Sequence, residues 1–445
     1  MNRDSPAAAT LLVTGLFIGG VLAGTLAGNQ AVARAQDPYA NLDIFVRVLD
    51  LIERDYVEEM DEEQLIHAAI SGMLYELDAQ SRWLDPEQSQ VLLDETQGMG
   101  TGLGIELDVN GSAFHVGKVL PGSSALRDGV KSGDTLLEID GDPLQGLDPD
   151  IAEEKLSGPR GETAVLTILR DGWTQPRDVH TVYDQVHVPS VDSTLLDNHV
   201  AYVHLSQFQE GSAREVEVAL DKLGNRVGGL PELSGLILDL RDNPGGLLTE
   251  AVAVSDLFLD EGTVVSTRGR STNDGDALLE EHSATAGGVP RELAVICLVN
   301  GMSASASEIV AGALQDTGRG TLVGEATYGK GTVQKLYKHV QQGKAALKLT
   351  VGTYYTPSGE PVASGQGRSP DHEVPYPRRR TVLDELDDRL AALSLTDAER
   401  ASLREVTEEI SLPAPPPRDI PWNTPVLERL PDDPQLQKAL SLLAE

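Results

Sequence analysis

Cysteine and positive charge are what this chain has least of. Its 445 residues include one cysteine, Cys297, so an intrachain disulfide framework and a cysteine-based zinc cluster are both excluded. Cys297 lies in the apolar run Leu293–Val299 and reads as a small buried hydrophobe. Lys and Arg total 35 against 70 Asp and Glu, a formal net charge of −35. Phosphate attraction needs clustered basic residues, so nucleic acid is not expected as a partner. Acidity at this level favours solubility and repulsion from anionic surfaces but names no chemistry. No H-E-x-x-H pair occurs, which leaves a zinc protease unsupported, and no metal or organic cofactor is expected. Long internal repeats are absent too. With 40% hydrophobic and 24% charged residues the chain is globular in composition. At roughly 100–200 residues per domain, two to four domains are expected.

The N-terminus speaks about location. Arg3 and Asp4 precede the uncharged, apolar stretch Ser5–Ala33, which ends at the small-x-small triplet Ala33-Arg34-Ala35. A cleaved export signal and a retained membrane anchor both fit, and both put residues 36–445 outside the cytoplasm, periplasmic or in the cell envelope. The N-terminal segment is thus expected at the membrane.

The remainder changes texture twice. Apolar residues at near-helical spacing predict helix over Asn41–Leu77, followed by a polar connecting element, Asp78–Gln97. From Gly98 a glycine-rich turn enters a strand. Strands at Ala113–Leu120 and Thr135–Ile139, a short helix at Ile151–Leu156 and a last strand at Ala164–Leu169 suggest a small β-rich module. From Val186, strands Val200–Leu205, Leu236–Leu240, Leu293–Val299 and Thr321–Val323 alternate with helices Ser212–Leu223, Leu247–Leu257 and Ser305–Leu314. Apolar strands alternating with helices imply an α/β layer with buried strands. Strands Lys335–His339 and Ala345–Tyr355 close that region, with loop from Pro370, a helical pattern over Thr381–Ile410 and an extended Leu412–Pro417. The fold class is α/β, multidomain.

Three segments could carry chemistry. Gly301-Met302-Ser303-Ala304-Ser305-Ala306-Ser307-Glu308 follows an apolar strand and opens a helix. A serine there has free backbone N–H groups and the helix dipole beside it, as an acyl-transfer nucleophile needs. Ser305-x-x-Glu308 is equally a capping box, which requires no catalysis. In Gly324–Gln334, Lys330 stands between two glycines, well placed for close backbone approach and, if desolvated, able to deprotonate a serine. A solvated surface lysine is the plain alternative. Asp239-Leu240-Arg241-Asp242-Asn243-Pro244-Gly245-Gly246 ends a strand with two glycines whose N–H groups suit an oxyanion hole, or simply make a turn. All three lie at strand ends of one α/β region, where ligands bind.

Together with Thr353–Gly359, these segments resemble the carboxyl-terminal processing peptidases, also called tail-specific proteases, over roughly residues 40 to 375. The resemblance implies Ser305 as nucleophile, Lys330 as general base and Gln334 as the residue positioning the lysine. It implies an oxyanion hole shaped by Gly245, Gly246 and the Ala306 amide, with Glu308 and Asp316 in structural support. The β-rich module then resembles a PDZ domain. Leu103-Gly104-Ile105 would be its loop for a peptide's terminal carboxylate, and Val130–Gly141 also fits. The implied division is residues 1–35 as signal or anchor, 36–97 helical, 98–180 PDZ, 181–375 peptidase core and 376–445 a helical and proline-rich tail. Two departures stand out: Leu77–Ser81 lacks the Asp-Pro-His-Ser common in the family, and Tyr328 replaces a common phenylalanine. The helical tail from Thr381 carries no motif matched to the family.

The expectation is an exported serine endopeptidase that captures protein C-termini and cuts near them. Its partners would be protein substrates, with a homo-oligomer or a regulatory adaptor left open. The rivals are a non-catalytic PDZ scaffold on an inactive core and a Ser–His hydrolase using Ser305 with one of the nine histidines.

Overall fold

A computed structural model describes residues 42–110, 113–270, 278–285, 288–340, 345–362, 365, 367–376 and 430–444. The expected signal or anchor and the tail segments Thr381–Ile410 and Leu412–Pro417 lie outside these. No helix among the described residues is long and apolar enough to cross a membrane. Contacts divide the chain into two units, Met1–Trp83 and Leu84–Glu445.

In the first unit the single helix expected over Asn41–Leu77 is two, Leu42–Asp55 and Glu62–Tyr75. Asp61 breaks it: its backbone is extended and its carboxylate accepts the Gln64 N–H, which starts a second helix. The first helix buries none of its residues, and Ile44, Phe45 and Val48 are exposed.

In the second unit, part of the expected connecting element is a helix, Pro86–Thr96. Asp85 and Gln88 bond reciprocally at its start and Pro86 sits in its first turn. The ribbon Met99–Gly102 and Asp184–His187 then flanks the β-rich module. Its sheet runs Ile105–Asn110, Ala113–Val119, Thr135–Ile139, Thr163–Leu169, Arg177–Val182. The strand expected to be last is therefore followed by another, with Thr163–Val182 pairing along six positions. Leu103, Leu136, Leu166 and Ile168 fill the module's core.

The α/β layer is a six-stranded sheet in the order Val191–Leu195, Val200–Leu205, Gly235–Asp239, Val295–Val299, Thr321–Gly324, His372–Glu373. The first pair is antiparallel and the rest are parallel. Loop was expected beyond Pro370, but His372–Glu373 adds an edge strand. The inner strands have to be apolar on both sides because both faces are covered. Val203, Leu238 and Cys297 face helices Ser212–Asn225, Leu248–Asp256 and Ala306–Asp316, while Tyr202, Ile237 and Leu298 face Leu436 and Ala439 of a C-terminal helix, Pro434–Leu443. A second, antiparallel sheet joins Thr332–Val340, Ala345–Tyr355, Thr263–Gly269 and Leu278–Ser283.

Leu238, on strand Gly235–Asp239, is fully buried in the middle of the six-stranded sheet. Leu238→Ala is expected to cost about 3 kcal/mol of unfolding free energy by urea titration. A loss under about 1 kcal/mol would show that this layer is not the close-packed centre.

Candidate active site

The parallel strands all release their chains at one edge of the sheet, and the turns that follow Asp239, Val299 and Gly324 meet there. Asn300 joins the first two. Its Oδ1 accepts the Asp242 N–H at 3.0 Å, and its Nδ2 donates to Asp242 Oδ1 at 3.0 Å. Ser303 Oγ donates to the Leu240 carbonyl at 2.7 Å, and Ala304 N–H to the Asn243 carbonyl at 3.0 Å. The Gly-rich loop after Gly324 is bound to the serine turn by Tyr328 N–H on the Ser303 carbonyl, 3.0 Å.

Ser305 is 8% exposed and opens helix Ala306–Asp316. An ordinary N-cap has β-region backbone. Ser305 has φ 55 and ψ −109, a costly conformation for a non-glycine residue that persists only where its surroundings enforce it. The surroundings centre on Glu308, which is 1% exposed. Glu308 Oε2 accepts the N–H of Ser305 at 2.9 Å and of Lys330 at 2.8 Å. Oε1 accepts Gly329 N–H at 2.7 Å and Thr327 Oγ1 at 2.6 Å. An ionised carboxylate offers about four acceptor sites, and four donors fill them here. The pattern Ser305-x-x-Glu308 is thus more than a helix cap. The same carboxylate brings the Lys330 backbone within two hydrogen-bond lengths of the Ser305 backbone.

The glycines flanking Lys330 have separate reasons. Gly329 has φ 86, and a Cβ on Gly331 would lie 1.6 Å from the Val362 carbonyl oxygen. Lys330 itself is half-buried. Gln334 lies on strand Thr332–Val340, where its Nε2 donates to the Thr332 carbonyl and hydroxyl at 3.1 and 2.6 Å. Asp316, at the far end of the Ser305 helix, accepts Ser358 N–H at 3.1 Å and pairs with Arg368. Burial works against its charge, but bonds from Thr356 and Ser358 and the Arg368 guanidinium together hold its carboxyl below the usual range.

Gly245 packs directly on the serine turn, since a Cβ there would lie 2.8 Å from Ser305 Cβ. Its N–H, however, donates to Asn243 Oδ1 at 2.9 Å and so departs from the expected oxyanion role. Gly246, at φ 143, and the buried Ala306 border the same turn. In the β-rich module Leu103 also departs from expectation. Its N–H donates to the Leu156 carbonyl at 3.0 Å, so a carboxylate would find that donor occupied. Gly104, at φ 72, approaches Ser123 too closely for a side chain, and Ile105 begins the first strand of the module's sheet. A cleft of about 730 Å³ opens between this edge and the α/β layer, lined by Gly104, Ile105, Val186, Asp192, Tyr202 and His204.

Three of the nine histidines have partners away from the serine turn. His115 bonds Thr135, His187 lies 3.9 Å from Glu215, and His67 packs on Trp83.

Comparison with known proteins agrees with this layout. The family model "Peptidase family S41" matches residues 199–374, "PDZ domain" matches 91–169, and "Activating protease CtpB N-terminal domain" matches 23–87. A carboxy-terminal-processing protease of Bartonella bacilliformis is 37% identical, covering 82% of each chain. The chain belongs to the carboxyl-terminal processing proteases of peptidase family S41. A relative from Synechocystis, a carboxyl-terminal-processing protease, is 35% identical over 74% of this chain and 75% of its own. The solved photosystem II D1 C-terminal processing protease aligns at 25% identity over 76% of this chain and 93% of its own, with a TM-score of 0.43. The protein is therefore a serine peptidase with a PDZ domain, and its substrates are proteins.

Sequence reasoning gave Glu308 a supporting role without its partners, and it passed over Thr327 and the carboxamide of Asn243. A glutamate three residues into a helix signals a cap; its reach to a loop some twenty residues on has no local signature. Replacing Glu308 with Gln turns an acceptor into a donor facing two N–H groups. Glu308→Gln is expected to lower kcat about 100-fold, with KM much less affected, in a peptide-cleavage assay. Wild-type kcat would mean the carboxylate does not set the geometry.

Proposed function

We propose that the protein is an exported serine endopeptidase with a Ser305–Lys330 dyad, which binds protein C-termini through its PDZ domain and cleaves near them. The observation carrying this reading is the Glu308 carboxylate bonded to the backbone of both residues. Neutral Lys330 takes the Ser305 Oγ proton, and Oγ attacks the scissile carbonyl. The oxyanion is received by the amides of Gly246 and Ala306, since the Gly245 amide serves Asn243. Fixing Gly245 in this way sets the direction of the next peptide, so Gly245 shapes the hole without donating to it. Protonated Lys330 delivers its proton to the leaving amine, and water then hydrolyses the acyl-enzyme with Lys330 again as base. Gln334, whose Nε2 is committed to Thr332, has its carbonyl oxygen suited to accept from Lys330.

The peptide C-terminus is received at the Gly104 and Ile105 edge of the PDZ domain, where an added strand lies in the cleft beside the α/β layer. No cofactor takes part. Export rests on the apolar segment ending near Ala35.

A general base of this kind acts only in its neutral form. Ser305→Ala and Lys330→Ala are each expected to lower kcat/KM at least about a thousandfold on a peptide with an apolar C-terminus. Wild-type turnover in either variant rejects the dyad, and full inactivity of the native protein would favour a PDZ scaffold. Amidating the substrate's C-terminal carboxylate is expected to raise KM about tenfold, one lost charge-assisted contact. An unchanged KM would remove C-terminus recognition from the account.

A further inference from the structure

We propose that Asp433, close to the C-terminus, is a positioning residue for the peptidase site, acting through the buried Arg241 side chain on the turn Asn243–Gly246. The proposal rests on the reading that this turn forms the oxyanion hole. The peptidase match ends at residue 374, well before Asp433.

Arg241 is 3% exposed, yet every face of its guanidinium has a partner. Nε lies 2.9 and 3.0 Å from the two Asp239 oxygens, and Nη2 lies 2.5 Å from Asp239 Oδ2. Tyr202 donates its hydroxyl to that same oxygen at 2.7 Å. From the C-terminal helix, Asp433 meets Nη1 at 3.1 and 2.9 Å, and Gln435 Oε1 meets it at 3.0 Å. Tyr376 covers the guanidinium with its ring centroid at 6.0 Å. Asp433 and Gln435 are both fully buried, and Asp433 also caps its own helix by accepting the Leu436 N–H at 2.9 Å. Gln435 Nε2 in turn holds the Val374 carbonyl at 2.8 Å.

A helix that merely covered an apolar sheet would need only its apolar residues. Burying a second carboxylate is unfavourable unless it is fully paired, and among the described residues its charged partner is Arg241. The residue after Arg241 explains what this pairing does. Asp242 has φ 60, a left-handed backbone at a non-glycine residue, which needs support on both sides. Asn300 supplies one side by accepting the Asp242 N–H. The other side is Arg241, whose N–H bonds Asp239 Oδ1 at 3.0 Å and whose side chain is clamped between two carboxylates. Asn243 and Gly245 follow at once. The last helix of the chain thus fixes the start of the turn from the face of the sheet opposite the Ser305 helix.

The test compares two substitutions at opposite ends of one strand in the full-length protein. Asp433 lies by the Asp239 end; Leu443 lies by Gly235, where a Cβ would come within 2.6 Å of its side chain. Asp433→Asn is expected to lower kcat tenfold or more, about 1.4 kcal/mol of barrier, with KM within about twofold, assayed well below the variant's Tm. Leu443→Ala is expected to lower Tm and leave kcat unchanged. Wild-type kcat in Asp433→Asn, or kcat losses in both variants that follow Tm alone, would overturn the proposal. Gln435→Leu, which removes a neutral contact from the same guanidinium, is the milder second variant. It is expected to lower kcat about threefold, and an unchanged kcat also counts against the proposal. Ser305→Ala in the same assay separates the two readings: an active Ser305→Ala removes the dyad, whereas an inactive one beside an unaffected Asp433→Asn removes only the clamp.

Discussion

One buried carboxylate, Glu308, holds the site together. Its four hydrogen bonds reach two segments of chain, the serine turn and the Gly-Lys-Gly loop. Neither segment has a stable conformation of its own. Ser305 sits at an unfavourable backbone angle, and the lysine loop contains two glycines with little intrinsic preference. A charge-assisted hydrogen bond is roughly twice as strong as a neutral one, and burial strengthens it further. The placement of Ser305 relative to Lys330, the proposed nucleophile and base, thus depends on the Glu308 carboxylate.

The same arrangement recurs one strand over. There Asn300 and Arg241 fix Asp242 from two sides, and Asn243 orients Gly245. Polar side chains inside the sheet edge do what regular backbone pairing cannot do at a turn. This explains why the α/β layer is apolar along its strands and becomes densely hydrogen-bonded where they end. It also gives the acidity of the chain two distinct meanings. Most of the 70 acidic residues belong to solvated faces, whereas Glu308, Asp239 and Asp433 are buried and fully occupied.

Much of this could be read from the sequence, for identifiable reasons. The inner strands are apolar runs bounded by turn residues, so Val200–Leu205 and Thr135–Ile139 lie where periodicity placed them. Local rules also explain the misses. The break at Asp61 and the helix at Pro86 carry capping signals that a weak apolar pattern obscured. The edge strand His372–Glu373 is two residues long, too short for any period. The site was legible as motifs but not as contacts. The Gly245 and Leu103 amides are engaged by Asn243 and Leu156, and the Asp433 clamp spans 192 positions. An Asp-Pro pair opening a final helix is a readable cap, yet nothing in it points to Arg241.

In the proposed mechanism Ser305 becomes acylated, and Lys330 makes it able to do so. The most direct measurement is rapid acid quench during turnover of a peptide ester, followed by peptide mapping by mass spectrometry. An acyl adduct on Ser305 is expected in the wild-type protein and none on that time scale in Lys330→Ala. An adduct on a different residue, or normal acylation of Ser305 in Lys330→Ala, would contradict it.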